Sequence, residues 1–290
     1  MALDVLLVVL FSALLHAGWN ALVRSSSDKQ RGTLQVVCGA GALAALVVPA
    51  LPIPAPASWA YVVVSGLIHV VYFRLVASAY RDGELSLAYP LMRGSAPVLT
   101  AVSATVLLGE TPTLPGWLGI ALICTGVLCL AGSAWHSAAR HSAVPSALLN
   151  AGVIALYTVV DGLGARLSGH AASYTAWVFI FTAWPMLLLA RLQHAHIHGR
   201  STLPSPGTWR WHHAWDMRRS LLGGGGTLGA YGLALWAMTY APIAVVAALR
   251  ETSIVFATLI GVLFLHERLG RLRLLAITLV CAGAAAIKLA

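Results

Sequence analysis

The chain has few charged side chains. Asp, Glu, Lys and Arg together make up 9% of its 290 residues, whereas hydrophobic residues make up 59%. A soluble domain carries about 25% charged residues, so this chain lacks the polar side chains that would cover a water-exposed surface. The composition excludes an ordinary soluble domain and predicts an all-α membrane protein with several bilayer crossings.

Several motifs of enzymes and pumps are also missing. The sequence contains no G-x-x-x-x-G-K-[ST] phosphate loop, no H-E-x-x-H metal motif and no C-x-x-C pair. Its four cysteines lie in apolar stretches, where a thiol packs as a small hydrophobic group. We therefore expect no metal, no cofactor and no nucleotide-driven step.

The net charge of +9 is expected to face anionic lipid headgroups, so a role in nucleic-acid binding is not needed. The expected partners are membrane lipids and a small-molecule substrate. The sequence leaves monomer and homodimer both open.

Ten stretches have the length of about 20 mainly apolar residues that crosses a bilayer. Turn and charge signals separate them. We predict spans at residues 3–23, 33–51, 59–80, 84–108, 113–133, 145–167, 172–190, 220–240, 242–265 and 270–289.

The second half of the chain repeats the first. An offset of 157 residues aligns Arg93 with Arg250 and Glu110 with Glu267, and an offset of 141 aligns the first span with the sixth. Each repeat holds five spans, and an odd number forces the second copy to enter the membrane from the opposite side. We predict two inverted repeats, at residues 1–136 and 145–290, with an extended loop at 191–219 in the second.

Arg93 and Arg250 are the strongest candidate site residues, because a charge within the bilayer is costly and normally faces a bundle interior or a watery cavity. In inverted-repeat transporters the substrate lies near the midplane between the repeats. A guanidinium group grips a carboxylate or phosphonate with two hydrogen bonds, which implies a cargo with an anionic group. The structural alternative is that Arg250 pairs with Glu251 or Asp161.

Further candidates lie on the same helices or at matching places in the repeats. His16 and Asn20 are four residues apart and share a helix face, as do Tyr157 and Asp161. Arg74 in the third span and its counterpart Tyr231 at the 157-residue offset are further cavity candidates. Asp161 and Glu251 are candidates for ion coupling. The substrate-binding set is Arg93, Arg250, His16, Trp19, Asn20, Tyr157, Arg74 and Tyr231. Hydrogen bonding between helices is the structural alternative for His16 and Asn20.

The chain resembles the EamA family of the drug/metabolite transporter superfamily. The stretches that carry the resemblance are His16-Ala17-Gly18-Trp19-Asn20, Ser95-Ala96-Pro97-Val98, and Leu108-Gly109-Glu110 with its repeated ending Leu265-His266-Glu267. The resemblance implies ten transmembrane helices in two inverted five-helix EamA repeats. It also implies secondary transport of a small metabolite, often as export, across the cytoplasmic membrane.

Two other functions compete with this one. An exporter of aromatic or other amino acids would use the same arginines on the substrate carboxylate. An intramembrane lipid-modifying enzyme is the alternative from another class, but no Ser, His and Asp arrangement can be placed together in the sequence.

Two expectations concern the loops. The histidines and tryptophans between residues 194 and 215 lack a second set of metal ligands and are interpreted as a segment at the level of the lipid headgroups. Of the 18 Lys and Arg residues, 13 lie in loops on one face. The positive-inside rule makes that face cytoplasmic and places both termini outside, whereas the family resemblance favours termini inside.

Overall fold

The protein is described by a computed structural model that covers residues 1–26, 28–81, 85–134, 140–198, 214–265 and 269–289. These residues form an all-helical bundle whose elements follow the predicted spans. The helices are α1 (Leu3–Arg24), α2 (Lys29–Val47), α3 (Trp59–Arg81), α4 (Leu85–Leu108), α5 (Leu114–Cys129), α6 (Arg140–Leu167), α7 (Ala171–His198), α8 (Ala214–Met238), α9 (Ile243–Arg250), α10 (Ser253–Leu265) and α11 (Arg271–Leu289). Three short 3-10 helices cover Val48–Ala50, Pro56–Ser58 and Leu130–Ala134.

The chain is a multi-pass membrane protein. Within the described ranges, nine stretches are long and apolar enough to cross a membrane. Helix α8 fills the remaining predicted span, and its Asp216, Arg218 and Arg219 together with four consecutive glycines make it more polar than the others. The outer surface of the bundle carries large exposed hydrophobic side chains such as Leu7, Phe11 and Leu188, which suit contact with lipid.

The predicted loop at 191–219 is shorter in the structure. Helix α7 continues to His198 and α8 begins at Ala214, so both ends of that segment are helical. The remainder, residues 199–213, lies outside the described residues.

The ninth span is divided, which the sequence did not predict. Helix α9 ends at Arg250 and α10 begins at Ser253, with Glu251 and Thr252 between them. Around this break the amides of Glu251, Thr252 and Ile254 donate to carbonyls three residues earlier, in place of the four-residue spacing of an α-helix. The matching span of the first repeat, α4, is unbroken although it contains Pro90 and Pro97.

Packing between helices follows the inverted repeat. Helix α3 packs on α6 while α8 packs on α1, and α4 packs on α6 while α10 packs on α1. Helices α2 and α7 pack on each other, as do α5 and α11. Exchanging the two repeats converts the two contacts within each of the first two pairs into each other and converts the α2–α7 and α5–α11 contacts into themselves, as a pseudo-two-fold axis requires.

The contact between α5 and α11 shows the same exchange at the level of single residues. A Cβ atom on Gly119 would lie 2.7 Å from the Gly283 carbonyl oxygen, and one on Gly283 would lie 2.6 Å from the Gly119 carbonyl oxygen. A Cβ on Gly126 would lie 2.9 Å from the Ala276 carbonyl oxygen. The 157-residue offset takes Gly119 to Ala276 and Gly126 to Gly283, so the two close approaches are images of each other. Small residues here let the two backbones touch.

Candidate functional site

Arg93 on α4 is joined to Glu251, which follows α9 directly. The Arg93 Nε donates to Glu251 Oε2 at 3.0 Å, and Arg93 Nη2 lies 2.8 Å from Glu251 Oε1. Both side chains are 7% exposed. The pair therefore links the first repeat to the second inside the bundle, and Glu251 contacts the distant Arg93 rather than its neighbour Arg250.

Arg250, the repeat counterpart of Arg93, forms no ion pair with a carboxylate in the residues that the structure describes. The 157-residue offset that relates the two arginines takes Glu251 back to Gly94, so the position that would supply the acid has no side chain. Arg250 is buried, and its guanidinium carbon lies 5.2 Å from the centre of the Tyr231 ring. Its Nε is buried with no hydrogen-bond acceptor in the described part of the chain.

The break after α9 places opposite helix ends beside these charges. Arg250 occupies the C-terminal end of α9, where the helix dipole is negative, and Glu251 precedes the N-terminal end of α10, where the dipole is positive. Each charge is thus stabilised by the helix end that it borders.

Asp161 on α6 is the second buried acid of the site. Its Oδ1 accepts a hydrogen bond of 2.8 Å from the Tyr174 hydroxyl, and its Oδ2 accepts one from the Tyr231 hydroxyl. It is fully buried and has no ion-pair partner among the residues that the structure describes. Gly164 makes this arrangement possible, because a Cβ there would lie 2.3 Å from the Tyr174 hydroxyl oxygen.

Aromatic rings surround the acid and the unpaired arginine. The His69 ring lies 4.4 Å from the Tyr157 ring at an angle of 31°, and 5.6 Å from the Tyr231 ring. The Nδ1 of His69 lies 3.0 Å from the Ser65 carbonyl oxygen, which fixes the ring on α3. We call the assembly the central polar cluster; its members are His69, Arg93, Tyr157, Asp161, Tyr174, Tyr231, Arg250 and Glu251.

Helix α1 borders this cluster. The His16 ring packs edge-on against Trp19 with 5.1 Å between ring centres, and His16 is within electrostatic range of both Arg93 and Arg250. Asn20 donates to the His16 carbonyl at 2.8 Å, so its amide serves its own helix. The Trp19 Nε1 is buried and has no acceptor within the described ranges.

The family comparison agrees with this architecture. The sequence model of the EamA-like transporter family matches residues 3–132 and 141–289, once in each half of the chain. The chain belongs to the EamA-like transporter family. No curated protein matches it in sequence.

Solved structures resemble this EamA-like transporter in fold. One crystal structure of a protein superimposes with a TM-score of 0.74, covering 99% of this chain and 97% of that chain at 19% sequence identity. At this identity the likeness shows the shared fold and nothing finer.

Six of the eight predicted substrate-binding residues of this EamA-like transporter lie in or beside the central polar cluster, and a seventh, Asn20, bonds to the backbone of its own helix. Arg74 is the exception: its side chain is exposed on α3, and no hydrogen bond or ion pair joins it to the cluster within the described ranges. Arg74 lies five residues after His69, which places it on another side of α3, because successive residues turn by about 100°.

Sequence reasoning missed Tyr174 as a partner of Asp161. It also missed the pairing of Glu251 with Arg93. The signal for the second was available, since the 157-residue offset sets Glu251, the acid that directly follows Arg250, against Gly94, which follows Arg93. Nothing in the sequence distinguishes Tyr174 from a packing tyrosine.

A second ion pair of the transporter lies at the ends of helices, away from the cluster. Glu110 pairs with Arg166, and its Oε2 accepts from the backbone N–H of Ile243 at 3.0 Å. Arg166 also donates to the carbonyl oxygens of Met238 at 2.7 Å and Ala241 at 3.1 Å. This network joins the end of the fourth span to the turn between α8 and α9, and thus joins the repeats at one membrane face.

Proposed function

We propose that this EamA-like transporter is a secondary carrier that exports a small anionic or zwitterionic metabolite across the cytoplasmic membrane. The observation that carries the proposal is the difference between the two arginines. Arg93 is neutralised by Glu251, whereas Arg250 is a buried cation with no ion-pair partner among the described residues, and Gly94 stands in the first repeat at the position that matches Glu251.

An anionic group on the substrate would supply the negative charge and the hydrogen-bond acceptor that Arg250 lacks among the described residues. Buried hydrogen-bond donors are nearly always satisfied, yet Arg250 Nε and the nearby Trp19 Nε1 have no acceptor in the described residues. A carboxylate or phosphonate accepts two hydrogen bonds from one guanidinium group. Arg250 is therefore the proposed anion-binding residue, and His16, Trp19, Tyr157 and Tyr231 are the proposed neighbours of the rest of the substrate.

The proposed transport cycle is a rocking of the two repeats around the central polar cluster. Its support is the origin of the cluster: His69 and Arg93 come from the first repeat, and Asp161, Tyr231 and Arg250 from the second. Helices broken near the midplane are typical of substrate sites in inverted-repeat transporters, and the break between α9 and α10 lies beside Arg250.

We propose that Asp161 is the residue that couples transport to an ion. It is a buried acid that accepts hydrogen bonds from two tyrosine hydroxyl groups and forms no ion pair within the described residues. Glu251, the other candidate from the sequence, is already neutralised by Arg93, so we propose a structural role for it.

A second candidate function has support from the aromatic rings. The rings of His69, Tyr72, Tyr157 and Tyr231 pack edge to face or tilted, with centres 4.4 to 6.4 Å apart. Such a group next to a carboxylate-binding arginine suits an amino acid with an aromatic or apolar side chain. Export of amino acids is therefore the alternative within the same class.

The test is transport by the purified protein in vesicles preloaded with labelled amino acids, monocarboxylates or phosphonates. We expect release of at least one anionic or zwitterionic compound. Replacing Arg250 with Lys or Gln should weaken its binding by roughly tenfold to a hundredfold, since a hydrogen bond to a charged group contributes about 1.5–3 kcal/mol. The matched control is Arg271→Gln, which removes an exposed arginine of α11.

Two results would contradict the proposal. Transport that is equally affected by the Arg250 and Arg271 variants would exclude Arg250 as the anion site. Hydrolysis or group transfer on a vesicle lipid, with no transport of any compound, would favour the intramembrane lipid-modifying enzyme.

A further inference from the structure

Tyr231 contacts both Asp161 and Arg250. Its hydroxyl donates to Asp161 Oδ2, and its ring lies under the Arg250 guanidinium at 5.2 Å. Tyr174 also donates to Asp161, at Oδ1, but makes no ring or hydrogen-bond contact with Arg250 within the described part of the chain. The two tyrosines therefore both donate a hydrogen bond to Asp161, and they differ in that Tyr231 also packs against Arg250.

The hydroxyl protons can be counted. A phenol has one proton to donate, and an ionised carboxylate can only accept. While Asp161 is ionised, the single proton of Tyr231 is therefore used on Asp161 Oδ2. In this state Tyr231 has no proton for a substrate beside Arg250.

Protonation of Asp161 at Oδ2 reverses that hydrogen bond. The carboxyl O–H then donates to the Tyr231 oxygen, and the Tyr231 hydroxyl turns its own proton toward another acceptor. An anion held by Arg250 is such an acceptor. No covalent bond changes except the O–H bond that Asp161 gains from a solvent proton, and Tyr231 keeps its proton throughout.

We propose that Tyr231 links the binding of one proton at Asp161 to the binding of one anion at Arg250. This inference rests on the proposed function, because it assumes an anionic cargo. The protonated acid gives the anion an additional donor and also removes a negative charge from its surroundings, so each ligand strengthens the binding of the other.

This linkage determines the net charge that crosses the membrane in each transport event. A monovalent anion that travels with one proton adds no net charge, so the membrane potential does not drive the step. The direction of transport then follows the combined concentration gradients of the anion and the proton, so export requires an outward anion gradient larger than any inward proton gradient.

Other ionisable groups of the central polar cluster and of the neighbouring α1 could produce a pH dependence of their own. They come from α1, α3, α4, α6, α7, α8 and α9, and are His16, His69, Arg93, Tyr157, Tyr174, Tyr231, Arg250 and Glu251. The arginines stay charged at all accessible pH values. The two histidines are the groups whose ordinary titration overlaps the range of interest, so each requires its own variant.

The test measures proton uptake and binding together. Purified protein in weakly buffered detergent is mixed with the labelled anion that the vesicle panel identifies, and a pH indicator records the protons taken up. Wild type should take up one proton per bound anion where Asp161 is otherwise ionised, and its affinity should fall by about tenfold per pH unit in that range. His16→Gln and His69→Gln should keep this slope.

The decisive comparison is between two equivalent substitutions. Tyr231→Phe keeps the ring under Arg250 but removes the hydroxyl, and should bind the anion more weakly and without proton uptake. Tyr174→Phe removes the other hydroxyl from Asp161 and should retain proton uptake. Equal proton uptake by the two variants, or equal loss, would overturn the role of Tyr231.

Asp161→Asn answers the question if Tyr231→Phe does not fold. The amide N–H of asparagine donates as a protonated carboxyl does, so this variant should keep the high affinity of acidic pH at alkaline pH and take up no proton. Weak binding by Asp161→Asn at every pH would overturn the inference. Anion binding by wild type without proton uptake would overturn the linkage alone, whereas no binding of any anion at any pH would overturn the proposed function as well.

Discussion

Arg93 and Glu251 bring opposite charges into contact across the boundary between the repeats, with Nε 3.0 Å from Oε2 and Nη2 2.8 Å from Oε1. The two residues lie 158 positions apart in the sequence. Removing one member leaves the other charge buried without a partner, and this cost exceeds the benefit of the intact pair.

We therefore predict that Arg93→Gln and Glu251→Gln each lower the free energy of unfolding in detergent by about 3–5 kcal/mol. The double variant should recover much of this loss, because neither charge is then left alone. Thermal unfolding of all four proteins gives the coupling energy as a double-mutant cycle. A stable Arg93→Gln protein that has lost affinity for the anion would instead place Arg93 in the substrate site.

The Glu110–Arg166 network should control water access at the membrane face where it lies. Glu110→Gln removes the charge that holds Arg166 and caps α9, so the turn that contains Ala241 should loosen. We expect a cysteine introduced at Ala241, in a background without the native cysteines, to react with a water-soluble thiol reagent about tenfold faster, which corresponds to about 1.4 kcal/mol of opening free energy. Glu110→Asp keeps the charge and serves as the control; equal reactivity in all three proteins would show that this network does not close the face.

The glycine contact between α5 and α11 should tolerate no added methyl group. Gly119→Ala places a Cβ 2.7 Å from the Gly283 carbonyl oxygen, and overpacking of this kind costs about 1–3 kcal/mol. Gly152→Ala is the matched control, because a Cβ on Gly152 meets nothing within 4 Å. The measurement is thermal stability in detergent, and an unchanged Gly119→Ala protein would show that the two helices can move apart at no cost.

Membrane orientation is testable with a fluorescent reporter that matures only in the cytoplasm. The loop charges predict that the C-terminus lies outside the cytoplasm, so a C-terminal fusion should stay dark. A fusion to the turn between α2 and α3, on the same face as the termini, should stay dark too. Bright fluorescence from the C-terminal fusion would support the orientation implied by the family resemblance.

Fold prediction from the sequence succeeded where hydrophobic length and internal repetition carry the information. The ten spans and the inverted repeat need only a count of apolar residues and an alignment of the chain with itself. The break after Arg250 escaped prediction because the proline-containing α4 is continuous and the divided span has Ile254 in place of Pro97. The presence or absence of proline therefore did not determine which of the two spans is broken.

The candidate site was harder to predict than the fold. The sequence identifies charged residues within spans, since they are rare, but it does not state which charge meets which. The partners of Arg93, Asp161 and Arg250 lie 158, 70 and 19 residues away along the chain, and helix rotation decides each contact. Tyr174 in particular reaches Asp161 because Gly164 leaves room for it.

The contacts between α5 and α11 convert into each other when the repeats are exchanged. Two separate copies of one repeat, inserted in opposite orientations and related by a two-fold axis, could therefore form the same interface. Such a pair of identical chains would, however, carry two identical arginine sites, both with an acid or both without one. Glu251 and Gly94 break that equivalence within a single polypeptide. Joining the two copies in one polypeptide allows the two arginines to differ: Arg93 pairs with Glu251 and links the repeats, whereas Arg250 has no such acid among the described residues. Two identical chains related by symmetry cannot have this difference.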